Sequence, residues 1–499
     1  MFRQQIIKMH IGSPLLENGE EFGILEIEME KADITDKPTC INIMLDKSGS
    51  MDEGCEDGNS KMDQIKHVVT NMLRYVSSNC LNKNVSVNVK TFNSRVENVI
   101  NDVILTEENL QETISSLKKI YPEDNTNIEL ALKSMHKPTT EMEQNNIFMS
   151  DGDANDGETR PEELAKMIDT RAANYVVGFG LEHNPKIFAA LSNKENSSYY
   201  FIDKIEKSAV AYGEILHEIL HKSLKSVKIS VQNGLIYDWR TNQWMPEIFV
   251  GRMSGEMKKT FHVKTTNKME MEITLRGHSE LHGEIVYKYH GNEGEEHDLT
   301  KMFYRQRTQE ILYKVKKINE RSNVPIEEVR KMKKEMKVFM AEMMEYMKKT
   351  ELTEDRIMKN LCDDIVIVYR TLGTEYGFMY SCARQESNGT ERTHTASDTP
   401  MPKAPKKSRK FNNSPMGRQC SVMPCEYACN EEEDEYDKYS LSRSNNCESV
   451  FDFESEERYE KEERDEMDEF MLKHETSPTY CTEELENVIN SLNKEEEDA

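Results

Sequence analysis

Long apolar runs are missing from this sequence. No stretch approaches the ~18 consecutive apolar residues of a membrane-spanning helix, and only 36% of the 499 residues are hydrophobic. The first ten residues, MFRQQIIKMH, lack the apolar centre of a secretory signal. Both absences predict an intracellular protein that is neither secreted nor membrane-embedded. Cysteine is sparse as well. Ten residues scattered over this length predict reduced thiols rather than a disulfide framework, which leaves the sequons at Asn196 and Asn388 unused. Positive charge is in deficit, with 65 Lys+Arg against 91 Asp+Glu and a net charge of −26. Nucleic acid is therefore not expected as a partner, because its phosphates would be repelled. There is no glycine-rich loop ending in Lys-Ser or Lys-Thr for nucleotide phosphates, and no Gly-x-Ser-x-Gly to mark a hydrolase nucleophile.

What is present is a change of period along the chain. From Cys40 to Leu224, short apolar runs alternate with amphipathic stretches. Ile41 to Leu45, Val85 to Phe92, Ile147 to Met149 and Tyr175 to Phe179 read as strands buried on both faces, with Ser197 to Ile202 as an edge strand. Helical spacing fills Asp63–Val76, Glu107–Ile120, Ile128–Met135, Pro161–Ala173 and Ser208–Leu224. This predicts a doubly wound, mostly parallel α/β sheet over residues 36–223. On either side the period drops to two, in Gly23–Glu30, Val227–Val231, Thr260–Thr265, Met269–Leu275 and Glu284–Tyr289. Residues 1–35 and 224–299 are thus expected to pair as an antiparallel β-sandwich into which the α/β block is inserted.

Residues 300–372 return to helical spacing, with Ile311, Leu312, Val315 and Ile318 on one stripe and Val338, Phe339, Met343, Met344 and Met347 on another. The methionines read as core filler rather than a binding groove. From 373 to 499 an unfolded linker and acidic tail are expected. Residues 431–499 hold 26 Asp+Glu against 7 Lys+Arg, a net −19, with too little apolar surface to offset the entropy of folding. A basic run, Lys403 to Lys410, matches the pattern of a nuclear localisation signal. Cys420, Cys425, Cys429 and Cys447 fit no standard zinc spacing and are read as free thiols.

Two strands carry chemistry at their carboxyl ends, where open α/β sheets place ligands. Ile41–Leu45 runs into Asp46-Lys47-Ser48-Gly49-Ser50, and Ile147–Met149 runs into Ser150-Asp151-Gly152. Between them, Thr126 in Asn-Thr-Asn directly precedes a helix. Two carboxylates, three hydroxyls and waters make an all-oxygen set suited to a hard cation such as Mg²⁺.

Asp46, Ser48, Ser50, Thr126 and Asp151, in that order, resemble the metal-ion-dependent adhesion site of the von Willebrand factor type A (VWA) family. The resemblance covers roughly residues 36–222. It implies a Rossmann-like fold, a bound divalent ion (Mg²⁺, Mn²⁺ or Ca²⁺) and a protein partner whose Asp or Glu completes the coordination. The loop 52–60 is longer and more acidic than the resemblance leads one to expect. Asp52, Glu53 and Asp57 are candidate ligands for a second cation there, against the plainer reading of a solvated loop.

Three other readings compete. A haloacid dehalogenase-type phosphatase needs a second carboxylate where Ser48 stands. His217-Glu218-Ile219-Leu220-His221 matches the His-Glu-x-x-His of zinc proteases, yet its helix is already needed to cover the sheet, and the histidines next in sequence, His262, His278 and His282, lie in the strand region rather than on a helix. A VWA fold without metal would be a scaffold. The expected function is therefore non-enzymatic, metal-dependent protein binding, with the acidic tail a candidate internal competitor for the metal.

Overall fold

The computed structural model describes residues 6–16, 19–55, 58–81, 83–135, 142–181, 183–203, 208–280, 282–291, 295–321, 323–396 and 480–493. Strands β1 (Ile6–Leu15) and β2 (Glu21–Glu28) come first. The α/β block follows as β3 (Thr39–Asp46), α1 (Lys61–Asn79), β4 (Val85–Phe92), β5 (Val96–Ile104), α2 (Glu107–Lys118), α3 (Ile128–Ser134), β6 (Glu143–Ser150), α4 (Pro161–Ala165), β7 (Ala173–Phe179), α5 (Pro185–Ser192), β8 (Ser197–Ile202) and α6 (Ser208–Leu220). Strands then resume as β9 (Lys222–Gln232), β10 (Leu235–Asp238), β11 (Gln243–Met245), β12 (Glu247–Ser254), β13 (Lys258–Thr265), β14 (Glu272–Ser279), β15 (Gly283–His290) and β16 (Glu295–Asp298). The last elements are α7 (Thr300–Asn319), α8 (Ile326–Lys349), α9 (Arg356–Thr371), α10 (Gly377–Thr390) and α11 (Glu483–Leu492).

The central sheet has the order β5-β4-β3-β6-β7-β8, parallel except for β5. Strand β5 has the weakest signature in the sequence because it lies at the edge with most of its side chains half-buried or exposed. Helix α1 starts where Ser60 and Asp63 form a reciprocal capping box, and its apolar face joins Ile41, Ile43, Leu45, Val87 and Ile147 in one core.

Within that apolar sheet runs a belt of amides. Asn42 stands in register with Asn88 on β4 and Asn146 on β6, and Asn146 with Asn174 on β7. The Asn42 Nδ2 donates to Gln144 Oε1 (2.7 Å) and Asn146 Oδ1 (3.0 Å), Asn88 Nδ2 to Asn42 Oδ1 (3.1 Å), and Asn146 Nδ2 to Asn174 Oδ1 (2.9 Å). All four asparagines are buried. A buried amide is costly unless paired, so a one-residue slip of any strand would break the belt and is disfavoured.

The flanking strands make two further sheets, β11-β10-β13-β2-β1-β16 and β12-β9-β14-β15. Strand β2 pairs antiparallel with β13, so the segments before and after the α/β block share one sandwich, as the sequence pattern predicts. Its core draws Met9, Leu25 and Ile27 from the first segment and Ile229, Val263 and Leu275 from the second. The junction with the α/β block is ionic. Glu143, at the start of β6, lies 3.3 Å from Lys222 Nζ and 3.0 Å from Arg252 Nη2. Burial alone would raise its carboxyl, but the charges of Lys222, Arg252, Lys225 and Lys37 outweigh that effect and hold it at about 2.

Two expectations need correction. On α8 the buried stripe is Met332, Met336, Phe339, Met340, Met343 and Met347, whereas Val338 is 53% exposed. Phe339, Met343 and Met347 of the expected stripe are buried, and the difference lies at its edges, where Val338 is exposed and Met344 half-buried.

The expected unfolded linker does not begin at 373. Residues 377–390 form α10, which is largely buried, and the chain stays packed to Ala396. Composition misled here because the polar side chains of this segment bond to the framework. The Arg305 guanidinium donates to the carbonyls of Thr260 (3.0 Å) and Asn388 (2.8 Å), and Arg392 donates to the Tyr199 carbonyl (2.6 Å). A Cβ on Gly389 would meet the Trp239 ring at 2.2 Å, so only glycine permits this approach. Residues 483–492, expected in the acidic tail, form α11. It buries Leu485, Val488, Ile489 and Leu492, and Val488 and Leu492 join the core beneath α1 and α6.

Replacing Asn42 by Leu keeps the volume but strands the Asn88 and Asn146 amides, so Asn42→Leu should lower the unfolding free energy by about 2 kcal/mol in urea titrations. Glu143→Gln leaves Lys222 and Arg252 uncompensated and should cost about 3 kcal/mol at pH 7. Because the folded carboxyl lies below its ordinary range, that stabilisation is present above about pH 4.5 and is lost as pH falls toward 2. The gap between wild type and variant should therefore shrink by about half or more at pH 3.

Candidate metal centre

The belt register sets the ends of β3 and β6 side by side, and Asp46 thereby faces Ser150. The Ser150 hydroxyl donates to Asp46 Oδ2, and the Ser48 backbone N–H donates to Asp46 Oδ1 at 2.8 Å. After Asp46 the chain turns through a 3₁₀ turn, Gly49–Asp52, which aims successive serine hydroxyls at one point. Ser48 Oγ and Ser50 Oγ are 3.1 Å apart, and Ser50 Oγ donates to Asp151 Oδ1 at 2.8 Å. Thr126 enters from the loop before α3. A Cβ built on Gly152 would lie 3.3 Å from Thr126 Oγ1 and 3.6 Å from Ser50 Oγ, so these hydroxyls flank one small residue. All five residues expected from the sequence are thus brought to one place.

Sequence reasoning missed the residues that hold this loop. Asn155 Oδ1 accepts from the Thr126 N–H at 2.7 Å, and the Asn155 N–H returns to the Thr126 carbonyl at 3.1 Å. Asn93, fully buried, donates to the Glu123 carbonyl and takes the Asn127 N–H on its own carbonyl. Lys47 points away from the centre to Glu97 (3.1 Å) and Glu123 (2.9 Å). Lys61, the first residue of α1, is the one cation aimed inward among the described residues. Its Nζ lies 2.8 Å from Asp151 Oδ2 and also binds Glu53. The position of a lysine beside an acidic loop carries no sequence signal of this kind.

Whether the residues fit a cation can be judged from their chemistry. Asp46 and Asp151 are both fully buried. Burial pushes the Asp46 carboxyl up to about 7, although hydrogen bonds from Ser150 and Ser48 draw it part of the way back. These neutral donors therefore leave its negative charge under-compensated, which is the condition a divalent ion relieves. Two carboxylates and three hydroxyls are hard oxygen donors, and they fit a Mg²⁺-like ion with open positions for water or a sixth donor.

The acidic loop is different. Asp52 and Glu53 are exposed, Glu53 is engaged by Lys61, and Asp57 lies outside the described residues. Among the described residues no three His, Cys, Asp or Glu side chains stand grouped around a second ion. Cys420, Cys425, Cys429, Cys447 and Lys403 to Lys410 also fall outside the described residues. Six other cysteines, including Cys40 and Cys362, are free thiols, and no described helix is long and apolar enough to cross a membrane.

The His-Glu-x-x-His sequence sits in α6 with His217 and His221 stacked, ring centroids 5.0 Å apart, and both buried. Glu218 lies in the electrostatic field of Tyr175, Tyr200, Lys259 and Arg392. His262 is buried against Phe22, at 5.8 Å between ring centroids, while His278 and His282 are exposed.

Residues 41–213 match the sequence family described as the von Willebrand factor type A domain. No curated protein matches the sequence. Solved structures with similar folds include a von Willebrand factor type A protein from Catenulispora acidiphila, at 10% identity over 63% of this chain and 81% of that one, TM-score 0.45. The ArnB paralog VWA2 from Sulfolobus acidocaldarius aligns at 12% identity over 78% and 98%, TM-score 0.45. A mussel byssus proximal thread matrix protein 1 with a zinc-occupied site aligns at 16% identity over 38% and 48%, TM-score 0.30. No functional residue is transferred from proteins this distant. The family match, the parallel sheet and the ordered Asp-x-Ser-x-Ser, Thr and Asp positions coincide over the same residues, and the chain carries a von Willebrand factor type A domain.

Proposed function

We propose that this domain is a metal-dependent protein-binding module. Asp46, Ser48, Ser50, Thr126 and Asp151 hold a divalent ion, Mg²⁺ in preference to Mn²⁺ or Ca²⁺, and a partner's Asp or Glu supplies the remaining ligand. The observation that carries this reading is the convergence of two fully buried carboxylates and three hydroxyls at the open end of the sheet. Such a set neutralises a divalent charge only in part, which leaves a favourable charge-assisted contact for an outside carboxylate.

The reading is also non-enzymatic. The side chain two residues past Asp46 is a hydroxyl, Ser48, so no second carboxylate stands where a phosphatase of that geometry needs its acid. The His217 helix offers Glu218 to neighbours other than the imidazoles, which disfavours a zinc protease. The partner is taken to be a protein rather than nucleic acid or membrane, met inside the cell.

Lys61 belongs to this picture as an internal counter-charge. Its ammonium occupies Asp151 Oδ2, an oxygen on the rim of the metal position, and must be displaced or shared when the ion arrives. The acidic tail remains the candidate internal competitor for that place through residues 431–479, which lie outside the described residues. Helix α11 is held where Asn71 Nδ2 donates to the Leu492 carbonyl at 2.8 Å, about 15 Å along α1 from Lys61.

Calorimetric Mg²⁺ titration should show one strong site that is weakened at least 100-fold in Asp46→Ala plus Asp151→Ala. Proteins captured by the wild-type chain should be lost both in that variant and in EDTA. Capture that survives both treatments would place the binding face elsewhere, and an absence of Mg²⁺ binding would leave only a scaffold. Lys61→Met removes a competing charge a few ångströms from the ion, and Mg²⁺ affinity should rise by about tenfold or more, measured in the same titration.

A further inference from the structure

We propose that the free edge of β15 is a self-association surface, on which the β15 of a second copy of this chain pairs antiparallel about a two-fold axis through Val286. Edge strands present unpaired backbone donors and acceptors, and folded proteins normally shorten, bend or cover them. The other sheet edges of this structure are managed in those ways. Strands β11 and β16 are only three and four residues long. Strand β5 shifts register against β4, and β12 shifts three times against β9. Strand β8 is covered, since Arg392 donates to its Tyr199 carbonyl and His394 Nε2 lies 2.8 Å from its Phe201 carbonyl.

Strand β15 has none of these protections among the described residues. It runs for eight residues, about 26 Å, contains no proline, and pairs with β14 from Gly283 to His290 without a shift. Among the described residues no backbone group outside its own sheet bonds to it. Its side chains alternate strictly. Glu284, Val286, Lys288 and His290 are exposed, while Ile285, Tyr287 and Tyr289 are half-buried against the sandwich core. Val286, 45% exposed, is a large apolar side chain on the solvent face.

The sequence of this edge is complementary to itself. Residues directly opposed in an antiparallel pair place their side chains on the same face. With the axis at Val286, Glu284 of each copy meets Lys288 of the other, and Val286 meets Val286. On the inner face, Ile285 of each copy meets Tyr287 of the other, which continues the apolar stripe from one sandwich into the next. Lys288 lies 2.8 Å from Glu272 of β14 and is 58% exposed, so its three donors leave room for a second carboxylate. Neighbouring registers lose the match. An axis at Ile285 or Tyr287 separates Glu284 from Lys288, and a slip of one residue sets the half-buried stripe of one copy against the solvent face of the other. One strand per copy is a smaller contact than the ~1,200 Å² of stable complexes, so the dimer belongs to the weak, concentration-dependent class. It joins two four-stranded sheets into one of eight, and it does not depend on the metal centre.

The test is sedimentation equilibrium of the full chain, in EDTA and a reducing agent so that neither a metal-bridged contact nor a disulfide contributes. A monomer–dimer equilibrium is expected at chain concentrations up to about 1 mM. Glu284→Lys alone and Lys288→Glu alone should each weaken it at least tenfold, because like charges then oppose one another at both ends of the pairing. Mixed one to one, these two variants should associate about as well as the wild-type chain, since the mixed pair restores opposite charges at both positions. Val286→Lys, which sets two ammonium groups against each other on the axis, should also give monomer. All three positions are exposed, and unchanged thermal midpoints would show that the fold is kept. A wild-type chain that stays monomeric would overturn the proposal. So would a dimer that none of the three substitutions weakens, or single variants that associate no better mixed than alone.

Discussion

The amide belt across β4, β3, β6 and β7 is the constraint on which the rest of the domain depends. An apolar parallel sheet has few means of choosing one register, because Val, Ile and Leu pack acceptably after a slip. Asn42, Asn88, Asn146 and Asn174 remove that freedom, since each buried amide finds its partner in only one alignment. Four residues beyond Asn42 and Asn146, the same alignment delivers Asp46 beside Ser150. The hydroxyl that holds the first metal carboxylate is therefore placed by an interaction in the middle of the sheet, and the loops only add to what it has set.

Charge is managed differently at the two ends of the sheet. At the carboxyl end, Asp46 is buried with a hydroxyl and a backbone N–H as partners and no cation, and Asp151 shares Lys61 with Glu53. At the amino end, Glu143 is surrounded by Lys222 and Arg252 and kept ionised. Glu143 has full ionic compensation and acts as a structural joint, whereas Asp46 lacks it.

Much of this was legible in the sequence where local pattern and tertiary role agree. Continuous apolar runs marked the buried strands, period-two runs on both sides marked the sandwich, and Asp46, Ser48, Ser50, Thr126 and Asp151 stood out because their types and order match one coordination chemistry. Legibility failed where a residue's role depends on what it meets across space. Strand β5 is an edge whose apolar residues, Val96, Val99, Ile100, Val103 and Ile104, neither run continuously nor keep a strict alternation, so its pattern does not mark a strand. Residues 377–396 look like a polar linker because their partners are distant in sequence: the Asn388 carbonyl accepts from Arg305, Arg392 donates to the Tyr199 carbonyl, and the Thr393 N–H donates to Glu214. Helix α11 was hidden by acidic neighbours, although Leu485, Val488, Ile489 and Leu492 keep helical spacing within it. Lys61 carried no signal at all, because a lysine at a helix start is ordinary until Asp151 is known to lie beside it.

The way the α/β block is inserted leaves the carboxyl ends of β3 and β6 clear of its attachments. The chain enters at Thr35 and leaves at Leu220, and these two residues are hydrogen-bonded to each other at 2.9 Å. Entry and exit thus coincide, which lets a domain be inserted without pulling the sandwich strands apart. Beside them, Gly255 N–H donates to the His221 carbonyl at 2.8 Å, and Glu256 N–H to Glu30 at 3.1 Å. Gly255 is itself required there, since a Cβ would fall 2.4 Å from the Ala32 nitrogen. Both connections, the Glu143 joint and the α11 seam therefore gather on the amino side of the sheet. The carboxyl ends of β3 and β6, with Asp46 and Asp151, carry none of these attachments and are set among loops rather than the framework that holds the domain in place.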